Sequence, residues 1–408
     1  MNKKRLRNYA KLIAVSGANV QKGQEVMILA ELDQPEFVKM LVEECYKCGA
    51  KRVTVDFNYQ PLEKLDVKYC KEKVLGSLLD WQIKKWEWQA EVLPAKIYLT
   101  SEDPDGLVGV NQKKYAKARA SKALAIKPIR RSMENRYQWC IAGVAGEKWA
   151  KKVFPNLRKN AAIEALWEAI LDTSRVTDDP VAEWERHNES FKQRCDYLNS
   201  LSLRTLIYKS KNGTDLKVGL IPEGIFCGGG EATLGTEVFF NPNIPTEEIF
   251  TSPMKGEAEG IVYSSMPLCY DGQIIDKFSI RFEDGKAVEI HAEVGEELLR
   301  EIISLDEGAG YLGECALVPY SSPIRKSGIL FYNTLYDENA VCHLALGMGY
   351  TNTLRDYEKY TDDEAHEIGI NDSISHVDFM IGTEDLSIVG ISEDGTAHQL
   401  FRDGEWAI

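Results

Sequence analysis

The feature that most constrains the fold is the alternation of strand and helix patterns in the first 180 residues. An apolar run at Val26–Ala30 precedes a helix pattern from about Gln34 to Cys48, and the β-branched run Lys51–Phe57 follows it. This order is typical of a parallel sheet whose faces are covered by helices. Similar patterns predict the strands Lys96–Thr100 and Trp139–Ala142 and the helices Ser77–Gln89, Gln112–Leu124 and Ala161–Ser174. We therefore predict an α/β N-terminal domain with a mostly parallel sheet over residues 1–180.

The pattern changes after the polar stretch Asp178–Glu183, which begins a helix pattern that ends near Asn199. Short strand patterns then dominate, separated by turn signals such as Asn212-Gly213 and Asp271-Gly272. The pair Asp284-Gly285 lies between two alternating runs and predicts a hairpin. The predicted elements are the strands Leu203–Ser210, Asp215–Leu220, Gly260–Ser264, Asp276–Glu283 and Ala287–Val294 and a helix from about Glu296 to Leu305. Residues 181–408 are thus predicted to form an α+β, strand-rich C-terminal domain.

The charge balance argues against a nucleic-acid partner. The chain has 63 Asp and Glu against 49 Lys and Arg, a formal net charge of −14, whereas phosphate binding needs a basic stripe. Lys and Arg do cluster between Lys113 and Arg131, but this run fits a solvated helix face better. No stretch approaches the ~18 apolar residues of a membrane span. We expect neither a nucleic acid nor a membrane as partner.

The N-terminus and the cysteines point to the cytoplasm. The N-terminal segment has no apolar run of signal-peptide length and predicts an amphipathic helix, with Leu6, Tyr9, Leu12 and Ile13 on one face. Nine cysteines are present, and the C-x2-C pair Cys45 and Cys48 lacks the second pair that a zinc knuckle needs. Reduced, mostly buried thiols in a cytoplasmic protein are the simpler interpretation.

The segment Ser375–Gly382 brings an imidazole and a carboxylate side by side. Its alternation predicts a strand in which His376 and Asp378 point to one face, while Val377 and Phe379 point to the other. Two such groups on one face can chelate one metal ion or bind two neighbouring ones. The pattern alone also fits a structural His–Asp pair at a sheet edge, because H-x-D carries no mechanism by itself.

A second histidine follows the aromatic-rich run Ile329–Tyr332, which predicts a strand. Asp337 is a candidate N-cap for a short helix over Ala340–Leu346. His343 would lie on one face of that helix, and Glu338 would lie in its first turn. A carboxylate and an imidazole could then face a cleft at a strand-to-helix junction, although His343 fits a core histidine equally well.

Two more carboxylates lie in unusual surroundings. Glu314 interrupts the almost uncharged stretch Gly310–Val318, and a carboxylate there is costly to bury unless it is paired or bound to a metal. Glu248 lies between Pro245 and Pro253, where a solvent-facing loop glutamate is the simpler interpretation.

The set is more informative than any member of it. Three carboxylates and two imidazoles form the ligand mix of a two-metal hydrolase with a bridging carboxylate. Two divalent ions carry about four positive charges, most of which three carboxylates neutralise, and bound water becomes the nucleophile. The candidate metal ligands are Glu248, Glu314, His343, His376 and Asp378.

At these residues the sequence resembles the thermophilic-type metallo-aminopeptidase family, which includes aminopeptidase T, aminopeptidase S and PepS. The resemblance rests on N-I-P-T-E-E-I-F-T-S-P, L-G-E-C-A-L-V, L-F-Y-N-T-L-Y-D-E-N-A-V-C-H-L-A-L-G and H-V-D-F-M-I-G, in family order. The N-terminal G-A-N-V-Q-K-G-Q-E-V-M-I-L-A and the segment Ile126–Trp139 are also similar, so the resemblance spans nearly the whole chain.

The resemblance implies a two-domain, homodimeric exopeptidase that acts on peptides with a free N-terminus. It implies two divalent metal ions, with zinc, cobalt or magnesium as the candidates, held by the five residues named above. Tyr350 matches the family tyrosine near the metals, and Glu338 matches a family carboxylate beside the site.

The expected reaction is hydrolysis of the N-terminal peptide bond by a metal-activated water. Glu338 is the candidate general base and proton shuttle, unless it is itself a ligand. Tyr350 is the candidate donor to the tetrahedral oxyanion, unless it touches a metal. Two alternatives stay open: a metal-dependent amidase or esterase with the same site, and a peptide-binding protein whose structural metal has a closed set of four protein ligands.

Overall fold

The computed structural model describes residues 2–270 and 273–408, so the predicted Asp271-Gly272 turn lies outside the described residues. The chain divides into two compact units. The first comprises Met1–Arg186 and Gly230–Pro245, and the second comprises His187–Gly229 and Thr246–Ile408. The chain therefore returns once to the first unit before it ends in the second.

Helices are concentrated in the first half of the chain. The predicted helices there are confirmed to within a few residues, except that the helix predicted over Gln112–Leu124 continues to Met133. In chain order the helices are α1 Lys3–Leu12, α2 Pro35–Lys47, α3 Gln60–Tyr69, α4 Glu72–Leu75, α5 Asp80–Val92, α6 Gln112–Met133, α7 Glu147–Val153, α8 Lys159–Thr173, α9 Pro180–Ser200, α10 Glu296–Ile303, α11 Pro323–Lys326, α12 Thr334–Asp337 and α13 Asp362–Ile368. Within residues 2–270 and 273–408, no helix combines the length and the apolar character that crossing a membrane requires.

Strands dominate the second half of the chain. In chain order they are β1 Glu25–Glu31, β2 Arg52–Asn58, β3 Ala95–Thr100, β4 Trp139–Gly143, β5 Leu203–Lys209, β6 Asp215–Leu220, β7 Cys227–Gly228, β8 Glu231–Ala232, β9 Phe239–Phe240, β10 Asn243–Ile244, β11 Ile249–Thr251, β12 Pro253–Tyr263, β13 Leu268–Tyr270, β14 Gln273–Glu283, β15 Lys286–Val294, β16 Leu312–Leu317, β17 His343–Gly347, β18 His376–Met380, β19 Ser387–Ser392, β20 Ala397–Arg402 and β21 Glu405–Trp406.

The first unit contains the predicted parallel sheet. Its strand order is β10-β4-β3-β1-β2, and every neighbouring pair is parallel. Strand β1 is buried at nearly every position, as expected of a strand with helices on both faces of its sheet. The apolar face predicted for α1 is also confirmed, because Leu6, Tyr9, Leu12 and Ile13 are all buried.

The second unit is built from antiparallel strands. A nine-stranded sheet has the order β13-β14-β12-β6-β5-β19-β20-β21, with β15 also pairing with β14, and a five-stranded sheet has the order β18-β17-β16-β11-β7. Strands β14 and β15 form the hairpin predicted at Asp284-Gly285. One hydrophobic cluster takes in buried side chains of both sheets, among them Tyr208, Phe282, Leu344 and Phe379. This core covers one face of the five-stranded sheet.

The helix predicted over Ala340–Leu346 is wrong. The chain instead makes a short 3-10 turn at Glu338–Ala340 and then enters β17. Leu344 and Leu346 join the hydrophobic core, so the period of this short apolar run is two rather than 3.6. Strands β16 and β18 flank β17 and supply hydrogen-bond partners along both of its edges.

The strand predicted at Ile329–Tyr332 is also wrong. Tyr332 has a φ of 55°, which interrupts an extended run. The carboxylate of Asp337 accepts the backbone N–H of Phe331 at 2.8 Å and that of Asn333 at 3.0 Å. These bonds occupy donors that a strand ladder would use. Asp337 therefore secures the loop before α12 and is the last residue of α12, not the N-cap of a following helix.

Candidate metal centre

The register of the five-stranded sheet gathers four of the predicted ligands on one face. Directly opposed residues of antiparallel strands point to the same face. Ala345 on β17 is opposite Glu314 on β16 and opposite Asp378 on β18. His343 and His376 each lie two residues from a member of this row, so they share its face.

The opposite face of the same strands specifies this register. It carries Cys315, Leu344, Leu346, Val377 and Phe379, which are at most 4% exposed and belong to the hydrophobic core. A slip of one residue would turn these side chains out of the core and turn the polar set into it. The apolar residues between the candidate ligands therefore hold the ligands in place.

Glu248 reaches the same face from the position just before β11. It lies two positions before Phe250, and Phe250 is opposite Ala316 of β16. Glu248 is 8% exposed and Glu314 is 4% exposed. Carboxylates this deeply buried are costly unless a partner or a cation compensates their charge.

The ligand atoms converge in two groups that share Glu314. His343 Nε2 lies 3.1 Å from Glu248 Oε2 and 3.8 Å from Glu314 Oε1. His376 Nε2 lies 3.3 Å from Glu314 Oε2 and 3.1 Å from Asp378 Oδ1. Within each group the ligand atoms all lie within 4.8 Å of one another. The two oxygens of Glu314 thus face different histidines.

Backbone carbonyls orient both imidazoles. His343 Nδ1 lies 3.3 Å from the carbonyl oxygen of Val341, and His376 Nδ1 lies 2.7 Å from that of Met348. A carbonyl oxygen can only accept, so Nδ1 is the nitrogen that donates in both rings. Nε2, which faces the carboxylates, is then the nitrogen whose lone pair is suited to a metal ion.

Glu338 and Tyr350 lie beside these groups. Glu338 is partly buried in the turn after α12, and its carboxyl is near enough to Asp378 and Glu248 to feel their charges. The ring centroid of Tyr350 lies 4.8 Å from that of His376. Glu338 is not a member of the two converging groups of His, Asp and Glu side chains.

The centre has an excess of negative charge. It holds four carboxylates, and in the described part of the chain their ion-pair partners are the two histidines, with no Lys or Arg among them. Burial, reinforced by the neighbouring carboxylates, raises the pKa of Glu314 and raises that of Glu338 well above its ordinary value. Although burial opposes the shift, His376 keeps the pKa of Asp378 below its ordinary value.

The histidines and the tyrosine respond to the same charges. Although burial disfavours the charged ring, Glu248 raises the pKa of His343 to about 9. Burial again opposes the shift at His376, yet Asp378 raises its pKa well above the ordinary value. Burial and the nearby carboxylates also raise the pKa of the Tyr350 hydroxyl. Oxygen and nitrogen donors that attract protons so strongly suit divalent cations, which compete for the same lone pairs.

The structure thus brings together all five residues predicted as ligands, and their binding of metal stays a prediction. The sequence did not point to Asn339, a fully buried amide that touches both Glu338 and the segment leading to Glu248. The available sequence signal was that the polar Asn339 directly precedes the apolar run Ala340–Cys342. This signal does not reveal which residues Asn339 contacts.

The sequence is similar throughout to known proteases. The profile of the thermophilic metalloprotease family M29 matches residues 2–406. Aminopeptidase AmpS of Bacillus subtilis is 40% identical over 405 residues, which cover 99% of this chain and 98% of that protein. Aminopeptidase T of Thermus thermophilus is 38% identical over 408 residues, which cover 100% of this chain and 99% of that protein.

A solved structure agrees with these matches. Wild-type AmpT from Thermus thermophilus has a TM-score of 0.91 and covers 100% of both chains at 38% identity. A 2,5-dihydroxypyridine dioxygenase from Pseudomonas putida has a TM-score of 0.50 at 13% identity over 99% of this chain and 97% of that one. The second likeness concerns the fold alone, because one fold hosts unrelated chemistries.

Proposed function

The chain belongs to the thermophilic metalloprotease family M29 and is a metalloaminopeptidase, and we propose that it removes the N-terminal residue of peptides with two divalent metal ions. The observation that carries this proposal is the pair of ligand groups that share Glu314. A carboxylate that serves two such groups is typical of two-metal hydrolases. Zinc, cobalt and magnesium are the candidate ions, since oxygen and imidazole donors accept several divalent metals.

Each ion has its own set of side chains in this proposal. Glu248, Glu314 and His343 form the first set, and Glu314, His376 and Asp378 form the second. The ions, when bound, supply Lewis-acid activation of the scissile carbonyl and of the attacking water. The carboxylates offset the positive charge of the ions, and together with the ions they form a polar surface for the free α-amine of the substrate.

Glu338 is the proposed proton carrier. Its carboxyl lies beside the carboxylates of both sets and outside the two converging groups, so it keeps oxygens that can exchange a proton. It would take a proton from the attacking water and deliver it to the nitrogen of the leaving peptide. This transfer restores the Glu338 carboxylate at the end of each turnover.

Tyr350 is the proposed oxyanion donor. Its ring is held between His376 and Phe250, at centroid distances of 4.8 Å and 6.0 Å, and its backbone N–H donates to Ser252 Oγ at 2.9 Å. A phenol with an ordinary pKa of about 10 is protonated at neutral pH and can donate to developing negative charge.

For the working state we propose a cytoplasmic homodimer. The dimer rests on the family resemblance. The cytoplasmic location rests on the cysteines of the sequence, for which reduced thiols are the simpler interpretation.

The test combines metal analysis with two kinds of substrate. Purified protein is stripped with a chelator, each ion is added back, and hydrolysis of aminoacyl anilides is compared with that of their N-acylated forms. We expect hydrolysis of the free-amine substrates alone, lost on chelation and regained with metal. Equal hydrolysis of the N-acylated substrates would favour an amidase or esterase instead.

Variants locate the activity in this centre. His376→Ala should lose both bound metal and turnover. The control is His291→Ala, because the His291 side chain is 72% exposed and pairs with Glu296 away from these ligands. Full turnover in a metal-free His376→Ala protein would contradict the proposed mechanism.

A further inference from the structure

Asn339 is a fully buried side chain that touches two parts of the centre. Its Oδ1 accepts the backbone N–H of Glu247 at 2.7 Å, in the residue before the candidate ligand Glu248. Its Nδ2 donates to the carbonyl oxygen of Leu335 at 3.0 Å and lies 3.4 Å from Glu338 Oε1. Asn339 is 0% exposed, so water does not compete for these bonds.

The backbone fixes the orientation of this amide. The Glu247 N–H can only donate and the Leu335 carbonyl can only accept, so Oδ1 must face the first and Nδ2 the second. The two hydrogens of Nδ2 point in different directions, and with one directed at Leu335 the other is available to Glu338. In residues 2–270 and 273–408, no other hydrogen bond to the Glu338 carboxylate is present.

We propose that Asn339 is a positioning residue that joins the metal ligand Glu248 to the proton carrier Glu338. Its carbonyl oxygen holds the segment that presents Glu248, and its amino group holds the carboxylate of Glu338. One planar side chain thereby fixes the distance between a ligand and the group that handles the proton. The inference rests on the proposed function, since it assigns Asn339 to the same centre.

Two substitutions separate the two halves of this role. Asn339→Asp keeps an oxygen toward the Glu247 N–H but presents a second oxygen, without hydrogens, to Leu335 and Glu338. Asn339→Ala removes the contacts with Glu247, Leu335 and Glu338 together. The Asp variant should therefore retain metal and lose turnover, whereas the Ala variant should lose both.

The measurements are the metal affinity of the stripped protein, by competition with a chromophoric chelator for Zn²⁺, and kcat at saturating metal. We expect Asn339→Asp to keep its Zn²⁺ affinity and to lose about 10²-fold in kcat with little change in KM, as for a misplaced catalytic group. Asn339→Ala should lose about 10- to 100-fold in Zn²⁺ affinity, as other residues that orient metal ligands do.

Asn199→Asp is the matched control. Asn199 also bonds two backbone groups, because it accepts the Phe226 N–H at 2.7 Å and donates to the Phe226 carbonyl at 3.0 Å. Its substitution makes the same chemical change in the same unit without a neighbouring candidate ligand, and it should leave kcat and Zn²⁺ affinity unaltered. Unfolding by urea, followed for every variant, registers any general loss of stability.

Two results would overturn the inference. One is a kcat for Asn339→Asp no lower than that of Asn199→Asp. The other is an equal loss of Zn²⁺ affinity in Asn339→Asp and Asn339→Ala. That result would mean that the contact of Oδ1 with Glu247 and the contact of Nδ2 with Glu338 have no separate roles. Either result leaves the proposed function standing if the unaltered protein needs metal and His376→Ala is inactive. If the unaltered protein cleaves peptides without metal, the proposed function fails first.

Discussion

At the residue scale, we expect the small side chain of Ala345 to leave room for an ion in the proposed centre. Ala345 is opposite both Glu314 and Asp378, and such pairs have Cβ atoms about 4.5–5.5 Å apart. Ala345→Val would place two methyl groups between the carboxylates. We predict that it weakens Zn²⁺ binding at least ~10-fold, as measured by chelator competition. Ala345→Ser has a similar volume and should bind normally. Unchanged binding by the Val variant would contradict the prediction.

The hydroxyl of Tyr350 can be tested separately from its ring. Tyr350→Phe keeps the contacts with His376 and Phe250 and removes only the donor. Loss of one oxyanion donor lowers kcat by about 10²-fold, and we expect that loss with Zn²⁺ affinity unchanged. Steady-state kinetics at several metal concentrations provide the measurement. If added metal restores kcat, the hydroxyl is a metal ligand and the assignment to the oxyanion is wrong.

The residues of the centre differ in how far the sequence alone could predict them. Glu314 interrupts an uncharged run, so the sequence alone indicates a buried carboxylate that needs a partner or a metal ion. His376 and Asp378 share a strand face by their spacing. Glu248 follows from the family resemblance, because its loop setting favours a solvent-facing glutamate. Asn339 could not be predicted, since its bond to Glu247 joins residues 92 positions apart.

At the scale of elements, the wrong helix prediction at β17 shows that a short apolar run does not determine whether a segment forms a helix or a strand. His343–Gly347 is too short for its period to separate a helix from a strand. The deciding factor is the pairing with β16 and β18, which no local pattern reveals. The longer alternations of β14 and β15 and the helices that were predicted in the first unit had enough residues to define their periods.

Strand β3 carries a lysine whose burial gives the first unit a pH-dependent stability. Lys96 is 2% exposed, and its Nζ lies 4.7 Å from the ring centroid of Trp86 and 4.6 Å from that of Tyr137. Burial lowers its pKa from an ordinary 10.5 to about 8. Between these two pH values the unfolded chain keeps a proton that the folded chain has released, so the free energy of unfolding rises with pH.

We predict that Lys96→Met removes this dependence. Below pH 8 the folded protein holds a buried charge, which costs on the order of 3 kcal/mol before the attraction of the two rings is counted. The Met variant should therefore be more stable than the unaltered protein near pH 7, and the difference should shrink as the pH approaches 10.5. Urea unfolding at a series of pH values measures it.

Lys39→Met is the control for this prediction. Lys39 lies on the exposed side of α2 in the same unit, and its substitution should leave the pH dependence as it is. A Lys96→Met protein with the same pH dependence as the control would mean that the lysine reaches solvent through its charged end in the folded state.

At the scale of the whole molecule, the sequence predicted the character of each half but not the path of the chain. The alternation in the first half predicted a parallel sheet, and the short strand patterns of the second half predicted a strand-rich α+β domain. The returning segment Gly230–Pro245 joins the sheet of the first unit through the pairing of β10 with β4, over only two residues, Asn243 and Ile244. Such a short strand leaves no periodic signal. The homodimer and the cytoplasmic location stay predictions, because the structure of a single chain shows neither a partner subunit nor a cell compartment.

The division into two units makes a prediction about metal removal. All five candidate ligands lie in the second unit, His187–Gly229 and Thr246–Ile408. Without cations, four neighbouring carboxylates repel one another, and ions that bind only the folded state restore stability. The gain is about 2.7 kcal/mol at a free metal concentration 100 times the dissociation constant.

Chelation should therefore speed hydrogen exchange in the second unit and leave the first unit largely unchanged. Peptide-resolved exchange with mass spectrometry, with and without added Zn²⁺, measures this, and the strongest effect is expected in β16, β17 and β18, which carry Glu314, His343, His376 and Asp378. Exchange in the His376→Ala protein should respond little to Zn²⁺, because one group of ligands is then incomplete. Two outcomes would place the stabilising ion elsewhere: Zn²⁺ raises protection equally in both units, or it raises protection in His376→Ala as much as in the unaltered protein. Either outcome would remove the physical basis for assigning the ion to this sheet.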